Sequence, residues 1–213
     1  MKYSVTIDAG HGGWDTGATF SGIAEKDRNL VVAMAVGLRL KQKGVKVFFT
    51  RTTDKSLSIQ ERIDLSEKHK TDMLVSFHTY GKGATGVGII VGDKDKTGTI
   101  METSKGKILR LPRPEFEDVL AQQIIKEFQK SWIMPREDKE IIVEDRDTKL
   151  KDLGLFAQQK IQKPTFIIEL GSIKTKDNDF VHKNLNEIAE AAAEGILDAL
   201  IENAMINNLV RTL

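Results

Sequence analysis

The sequence predicts an α/β fold: a single domain with a mainly parallel central β-sheet flanked by helices on both faces. Short β-branched runs alternate along the chain with amphipathic stretches of helical period, which is typical of successive βαβ units. The chain has 213 residues, enough to bury one core. No internal repeat, low-complexity tract or Pro/Ser-rich linker divides it. We therefore expect one domain over residues 1–213.

In the first half of the chain, three predicted strands alternate with two predicted helices. The strands are runs rich in β-branched and aromatic residues, at positions 5–8, 45–50 and 73–77. The first helix, over residues 26–43, has apolar residues spaced by four, and Gly44 ends it as a C-cap. The second helix covers residues 58–70, where Ser58 and Glu61 have the spacing of a capping box.

The second half of the chain gives weaker signals. In order, it predicts a strand over 87–91, a hairpin around Lys105 and Gly106, a helix over 115–131, a short strand at 141–143, a core strand over 166–170 and a long helix over 179–203. Residues 204–213 have no strand-like alternation. They either extend the last helix or mark the junction with a further domain.

Composition excludes several classes of site. The net charge is +1, from 32 basic and 31 acidic residues, so no overall field favours nucleic acid or a membrane surface. No apolar stretch approaches the roughly 20 residues that span a bilayer. The chain has no cysteine, which excludes disulfides and thiolate metal sites. Histidine, aspartate and glutamate are therefore the strong metal ligands that remain.

Three polar side chains follow predicted strands of the sheet. His11 comes after the first strand, His78 after the third, and Glu169 lies at the end of the last core strand. Because ligands bind at the carboxyl ends of parallel strands, these side chains can converge although the sequence separates them widely. Glu169 follows an apolar run, and a poorly solvated carboxylate takes up a proton more readily than an exposed one. The pattern predicts a metal-dependent enzyme.

The third metal ligand stays open at this point. Glu25 opens the first helix, where spacing alone favours a first-turn acid stabilised by the helix dipole. Asp8 and Asp15 are competing candidates, and Asp15 is also suited to capping its loop. The two remaining histidines, His69 and His182, lie among charged residues on predicted helices, so we expect them on the solvated surface.

Five sequence blocks together match a known family. In order they are residues 7–18 (IDAGHGGWDTGA), 25–27 (EKD), 50–51 (TR) with Asp54, 76–78 (SFH) and 168–171 (IELG). This arrangement resembles the zinc-dependent N-acetylmuramoyl-L-alanine amidases of family 3, which hydrolyse bacterial peptidoglycan. The first block is specific, and the later blocks gain weight from their order and spacing. The resemblance runs over residues 4–200, which we expect to be the catalytic core.

The resemblance implies that His11, Glu25 and His78 bind one zinc ion and that Glu169 is the catalytic carboxylate. It also implies hydrolysis of the amide between the lactyl group of N-acetylmuramic acid and the L-alanine of the stem peptide. Rival interpretations are a zinc peptidase or deacetylase on the same scaffold, and a non-catalytic peptidoglycan-binding module. We expect bacterial peptidoglycan as the partner, no nucleic-acid or membrane partner, and a monomer.

Two departures from the family pattern concern the substrate side of the site. Tyr80 stands where similar enzymes have Asn or Asp two residues after the second histidine, and the residues after Gly171 also differ. Residues 92–114 look like an insertion for substrate binding or regulation. The N-terminus predicts a strand and not an export signal. We therefore expect an enzyme of the cell wall that is a phage endolysin, a mother-cell enzyme released by lysis, or a secreted amidase without its signal.

Overall fold

A mixed β-sheet forms the centre of the described part of the chain. The computed structural model describes residues 2–80, 86–90, 100–103, 106–109, 117–131, 163–174 and 181–212. Its strands are β1 (Ser4–Ala9), β2 (Thr19–Phe20), β3 (Ile23–Ala24), β4 (Lys46–Phe49), β5 (Met73–Tyr80), β6 (Val87–Ile90), β7 (Ile100–Thr103), β8 (Gly106–Leu109) and β9 (Thr165–Ser172). Its helices are α1 (Glu25–Gln42), α2 (Ile59–His69), α3 (Glu117–Lys130) and α4 (Leu185–Thr212).

The main sheet has the strand order β4-β1-β5-β9-β6-β8-β7. The first four strands of this order run parallel, β6 is antiparallel to β9, and β8 is parallel to β6. β7 and β8 form the antiparallel hairpin predicted around Lys105 and Gly106 and add it to the edge of the sheet. The predicted α/β fold with a mostly parallel sheet is thus confirmed.

Alternate residues of β1 face the two sides of the sheet, as the pleat requires. Val5 and Ile7 belong to the main hydrophobic core, which also contains Val32 and Val36 of α1. The other residues of the alternation point to the opposite face. Asp8, for example, contacts Arg62 of α2. The sheet therefore has α1 on one face and α2 on the other.

The helices on the α1 face pack closely on each other. α4 lies against both α1 and α3, and α1 packs on β1, β4 and β5. A Cβ atom added at Gly195 would lie 2.6 Å from the Cα of Ile124, so α4 and α3 approach at a distance that only glycine permits. Among the described residues, none of the helices combines the length and the apolar character that crossing a membrane requires.

The predicted elements agree with the structure apart from their ends. α1 ends at a C-cap on Lys43, one residue before the predicted cap, Gly44, which has φ +82°. α2 has the predicted capping box of Ser58 and Glu61. The final helix continues to Thr212, so residues 204–212 extend it. The predicted strand at 141–143 lies outside the described residues, as does most of the predicted insertion at 92–114. The division into domains stays a prediction.

Candidate metal centre

His11, Glu25 and His78 meet at the carboxyl edge of the sheet. One ligand atom from each of these residues lies within 4.8 Å of the others. The imidazole Nε2 of His11 and the Nδ1 of His78 both lie 3.2 Å from the same carboxylate oxygen of Glu25. Glu25 and His78 are buried and His11 is half-buried. The fold therefore concentrates three strong ligands in one poorly solvated place.

The first block of the sequence makes room for these side chains with glycine. A Cβ atom at Gly10 would lie 2.2 Å from the ring of His78, and one at Gly17 would lie 2.6 Å from the ring of His11. Gly17 also has φ +61°, a backbone conformation that side chains disfavour. These two glycines are needed because the metal-competent side chains fill the space where their own side chains would lie.

Glu25 is held by backbone amides as well as by histidines. The amide of Ala18 donates to one of its carboxylate oxygens at 2.8 Å, and the amide of Thr79 donates to the other at 3.0 Å. Asn29, one turn along α1, donates to Glu25 and to the carbonyl of Gly10. These bonds fix the carboxylate at the N-terminus of the helix.

The pKa of Glu25 lies far below its ordinary value. Burial acts to raise it, but the hydrogen bonds and positive charge of His11 and His78 outweigh burial and lower it. The carboxylate therefore stays ionised. Once the two imidazoles have lost their protons, an ionised carboxylate between them allows all three side chains to bind a divalent cation.

Asp15 orients the ring of His11. Its carboxylate lies 2.8 Å from Nδ1 of the imidazole, four residues earlier in the chain. A proton on Nδ1 would be donated to Asp15 and would leave Nε2, on the Glu25 side, to act as a ligand. Burial acts to lower the pKa of His11, but Glu25 and Asp15 outweigh it and raise the pKa to about 9. Asp15, which the sequence suggested as a ligand or a cap, contacts the ring of the candidate ligand His11 and lies outside the ligand cluster.

The donor set fits a zinc-type metal. Two imidazole nitrogens and one carboxylate oxygen are the three-ligand set of catalytic zinc sites, which keep a further position for water or substrate. The hydrogen bond from His11 to a carboxylate is the usual support of a metal-bound imidazole. The carboxylate in this cluster comes from Glu25 and not from Asp8 or Asp15. A favourable interaction with the helix dipole therefore does not by itself explain the position of Glu25.

Asp8 belongs to a buried polar network below the centre. Its carboxylate accepts hydrogen bonds from Thr50 at 2.5 Å, Ser76 at 2.6 Å and the guanidinium of Arg62 at 2.6 Å. Burial acts to raise the pKa of Asp8, but the charge of Arg62 and these hydrogen bonds outweigh it and lower the pKa. Both carboxylate oxygens of Asp8 therefore already accept hydrogen bonds from protein groups. Asp8, a candidate metal ligand from the sequence, is not part of the ligand cluster.

Two arginines hold the loop after β1. Arg51 belongs to a family block but was assigned no role, and Arg62 was not singled out from the sequence. Arg62 donates to the carbonyls of Ala9 and His11, and Arg51 donates to the carbonyls of Ala9 and Gly10. Both guanidinium groups are buried, and a buried cation is retained where it is hydrogen-bonded. The sequence signal of Arg51 is its place in the family block, whereas Arg62 is an arginine within an amphipathic segment, which is too common a pattern to be informative.

Glu169 lies beside His78 in the sheet. The two residues are register partners on the parallel strands β5 and β9, and Glu169 is 4% exposed. Register partners on neighbouring strands share a face of the sheet, and their strands lie about 4.8 Å apart. The register thus places the backbone of Glu169 beside that of the candidate ligand His78, while the three-residue ligand cluster is formed without Glu169.

A cavity of about 510 Å³ opens beside the centre on the α2 face. The residues that line it are Asp8, Gly10, His11, Gly12, Trp14, Asp15, Ser56, Leu57, Ser58, Ile59, Glu61, Arg62, Ser76 and His78. Because two of the candidate ligands are in its wall, a substrate in this cavity would reach the metal.

The structure agrees with some of the remaining predictions and differs from others. His182 is exposed, as expected, whereas His69 is half-buried and stacks on Phe48, with ring centroids 3.9 Å apart. Tyr80 ends β5, and its side chain lies outside the described residues. The short β2–β3 hairpin, which was not predicted, turns through Ser21 and Gly22 at positive φ and delivers the chain to Glu25.

Known proteins similar to this chain agree with the family that its sequence blocks resemble. Residues 5–202 match the family model Amidase_3, described as N-acetylmuramoyl-L-alanine amidase. The endolysin of Bacillus phage SPP1 is 28% identical over 205 residues, which are 94% of this chain and 67% of that protein. The sporulation-specific N-acetylmuramoyl-L-alanine amidase of Bacillus subtilis (strain 168) is 36% identical over 84 residues, 38% of this chain and 33% of that protein.

A solved structure agrees with these sequence matches. The N-acetylmuramoyl-L-alanine amidase from Clostridium difficile 630 superposes with a TM-score of 0.67 at 27% identity and covers 93% of this chain and 96% of that one. The family match spans nearly the whole chain, and the ligand cluster is of the type expected for it. The chain therefore belongs to the N-acetylmuramoyl-L-alanine amidase family, Amidase_3, and is an amide hydrolase of peptidoglycan.

Proposed function

We propose that this enzyme uses one zinc ion, held by His11, Glu25 and His78, to cleave the amide between the lactyl carboxyl of N-acetylmuramic acid and L-alanine. The observation that carries the proposal is the convergence of two imidazoles and one carboxylate within 4.8 Å at the wall of a cavity. When bound, zinc supplies a Lewis acid that polarises the carbonyl and lowers the pKa of water to about 7.

Glu169 is proposed as the general base and acid. Its carboxylate takes the proton of the water that attacks the amide carbon, and it later gives that proton to the leaving nitrogen of L-alanine. Its support is its position as register partner of the candidate ligand His78 and its burial, which keeps the carboxylate away from bulk water. The products are a free lactyl carboxylate on the glycan and a stem peptide with a new amino terminus.

The remaining residues keep the site organised. Asp15 fixes the ring of His11, and the amides of Ala18 and Thr79 hold the carboxylate of Glu25. Since these bonds exist before substrate binds, little rearrangement is needed during the reaction. We propose the cell wall as the place of action, in keeping with the similarity to an endolysin.

Mass spectrometry of digested peptidoglycan tests this proposal. We expect stem peptides that begin with a free L-alanine, intact glycan strands, loss of both products with a chelator, and recovery on adding zinc. A peptidase would shorten the stem peptides, and a deacetylase would remove 42 Da of acetyl from the sugars. Binding to the wall without new products would support the non-catalytic module instead.

A further inference from the structure

Trp14 is the most exposed large hydrophobic residue described in the chain, at 87% exposure, and it also lines the cavity beside the metal centre. An exposed indole costs free energy in water unless a partner covers it. It is one position away from Asp15, which orients His11. No role for this side chain follows from the metal chemistry described above.

The backbone beneath Trp14 is held unusually well for a surface loop. Gly12 and Asp15 exchange two backbone hydrogen bonds, of 2.9 and 3.2 Å, so Gly13 and Trp14 form the tip of a tight turn. The amide of Trp14 donates to the hydroxyl of Ser56 at 3.1 Å. The same hydroxyl donates to the carbonyl of Gly12 at 2.9 Å.

The neighbouring peptide is fixed from both sides. Asp54 accepts from the amide of Gly13 at 2.7 Å, and Lys26 donates to the carbonyl of Gly13 at 2.8 Å. Lys26 and Asp54 also pair with each other at 2.6 Å. The turn is thus braced by an ion pair, so the exposed indole of Trp14 is carried on an ordered backbone. Because that backbone is already ordered, the turn itself loses little entropy when a ligand covers the indole.

The wall of the cavity that Trp14 lines also contains the polar residues Ser56, Ser58 and Glu61, next to the apolar residues Leu57 and Ile59. A flat aromatic face with hydroxyl and carboxylate groups in the same cavity wall suits a pyranose ring, which has a flat face of C–H groups and a rim of hydroxyl and amide groups. The negative face of the indole attracts the slightly positive C–H groups. A stem peptide offers no comparable flat ring.

We propose that Trp14 is a substrate-positioning residue whose indole stacks on an amino-sugar ring of the glycan strand next to the cleaved amide. This inference rests on the proposed function, because it assumes that peptidoglycan enters the 510 Å³ cavity. Trp14 binds the sugar equally in the ground state and the transition state, so it acts on substrate affinity and not on the chemical step.

A fluorescence titration tests the contact without turnover. The chain has two tryptophans, so a Trp132→Phe background leaves Trp14 as the sole indole reporter. Two probes are compared: a peptide-free tetramer of β-1,4-linked N-acetylated amino sugar, and a sugar-free stem tetrapeptide. We expect a saturable fluorescence change with the sugar alone. A saturable change with the peptide alone, or with neither probe, overturns the proposal even if the enzyme is an active amidase.

Kinetics on soluble glycan strands that carry stem peptides provide the second test. We expect Trp14→Ala to raise KM about tenfold, equivalent to roughly 1.4 kcal/mol, with kcat within about twofold of the parent. Trp14→Phe should recover most of the affinity. Leu38→Ala, which truncates an exposed apolar residue of α1, is the matched control and should change neither constant. An unchanged KM in Trp14→Ala contradicts the proposal. If the parent is inactive, the proposed function fails, and the titration still decides the sugar contact.

Discussion

His78 and Glu169 are register partners on adjacent parallel strands, β5 and β9. One is a candidate metal ligand and the other a buried carboxylate that stays outside the ligand cluster. Their backbone pairing fixes the spacing between them at the strand separation of about 4.8 Å. The sheet therefore sets the backbone spacing between a candidate ligand and the proposed base, and the different roles proposed for these two residues can be distinguished by substitution.

Replacing Glu169 should remove catalysis and retain the metal. We expect Glu169→Ala to lower kcat by at least about a thousandfold, within the range for a positioned general base. Metal analysis of the purified variant should still give one zinc per chain, because His11, Glu25 and His78 are unchanged. Glu169→Gln, which keeps the shape and loses the base, is the matched variant. Loss of zinc in both variants would instead make Glu169 a ligand.

Asp15 should matter for metal affinity more than for folding. Its carboxylate orients the ring of His11, and removal of such a support usually costs about 10- to 100-fold in metal affinity. We therefore expect Asp15→Asn to bind zinc more weakly by this factor in competition with a chromogenic chelator. Asp64→Asn, at an exposed acid of α2, is the control and should bind zinc like the parent. Equal affinity in the two variants would exclude the orienting role.

The pH dependence of zinc binding should follow His11. In the metal-free protein the pKa of His11 is raised to about 9 by Glu25 and Asp15, which outweigh burial. The proton must leave before the ring binds metal. The apparent zinc affinity should therefore rise about tenfold per pH unit below that pKa, and level off above it. Titrations in zinc buffers from pH 6 to 10 measure this slope, and a profile that is already flat near pH 7 would contradict it.

Gly10 should be required for the metal site but not for the fold at large. A Cβ atom at this position would lie 2.2 Å from the ring of His78, so Gly10→Ala must displace that imidazole. We expect loss of zinc binding at neutral pH. Gly44→Ala is the useful contrast, since Gly44 has φ +82° with open space around its Cβ position. That variant should lose about 1 kcal/mol of stability and keep its zinc affinity.

Asp8 should govern the stability of the metal-free protein in acid. Removing its carboxylate leaves the guanidinium of Arg62 buried without its counter-ion. We expect Asp8→Asn to cost about 3–5 kcal/mol of unfolding free energy in denaturant titrations. A cost below about 1 kcal/mol would show that water or another acid replaces the pair.

The sign of the pH effect at Asp8 follows from its lowered folded-state pKa. Its contribution should be fully present above the unfolded value of about 3.9 and should be lost as pH falls through the folded value. Thermal unfolding from pH 6 down to pH 2 should therefore show a steeper loss of stability for the parent than for Asp8→Asn. Parallel curves would argue against this assignment.

The sequence alone was sufficient for the fold class and for most elements. β-Branched runs, apolar spacing and the capping box of Ser58 and Glu61 are local signals, and the structure confirms them. His11, His78 and Glu169 could be selected because each lies at the end of a predicted strand, and parallel strands bring such ends to one edge. The family resemblance added Glu25, whose local pattern does not distinguish a ligand from an ordinary first-turn acid.

Tertiary structure decided what depends on contacts between distant segments. Asp8, for example, is neutralised by Arg62 of α2, which lies 54 residues further along the chain. The bracing of Trp14 likewise needs Lys26 and Asp54, which the chain places far from it. Local patterns cannot encode such partners because ion pairing and burial depend on which elements pack together. The sequence by itself determined the elements and the chemical types at the site, and only packing supplied the partners that come from distant segments, because ion pairing and burial depend on which elements meet.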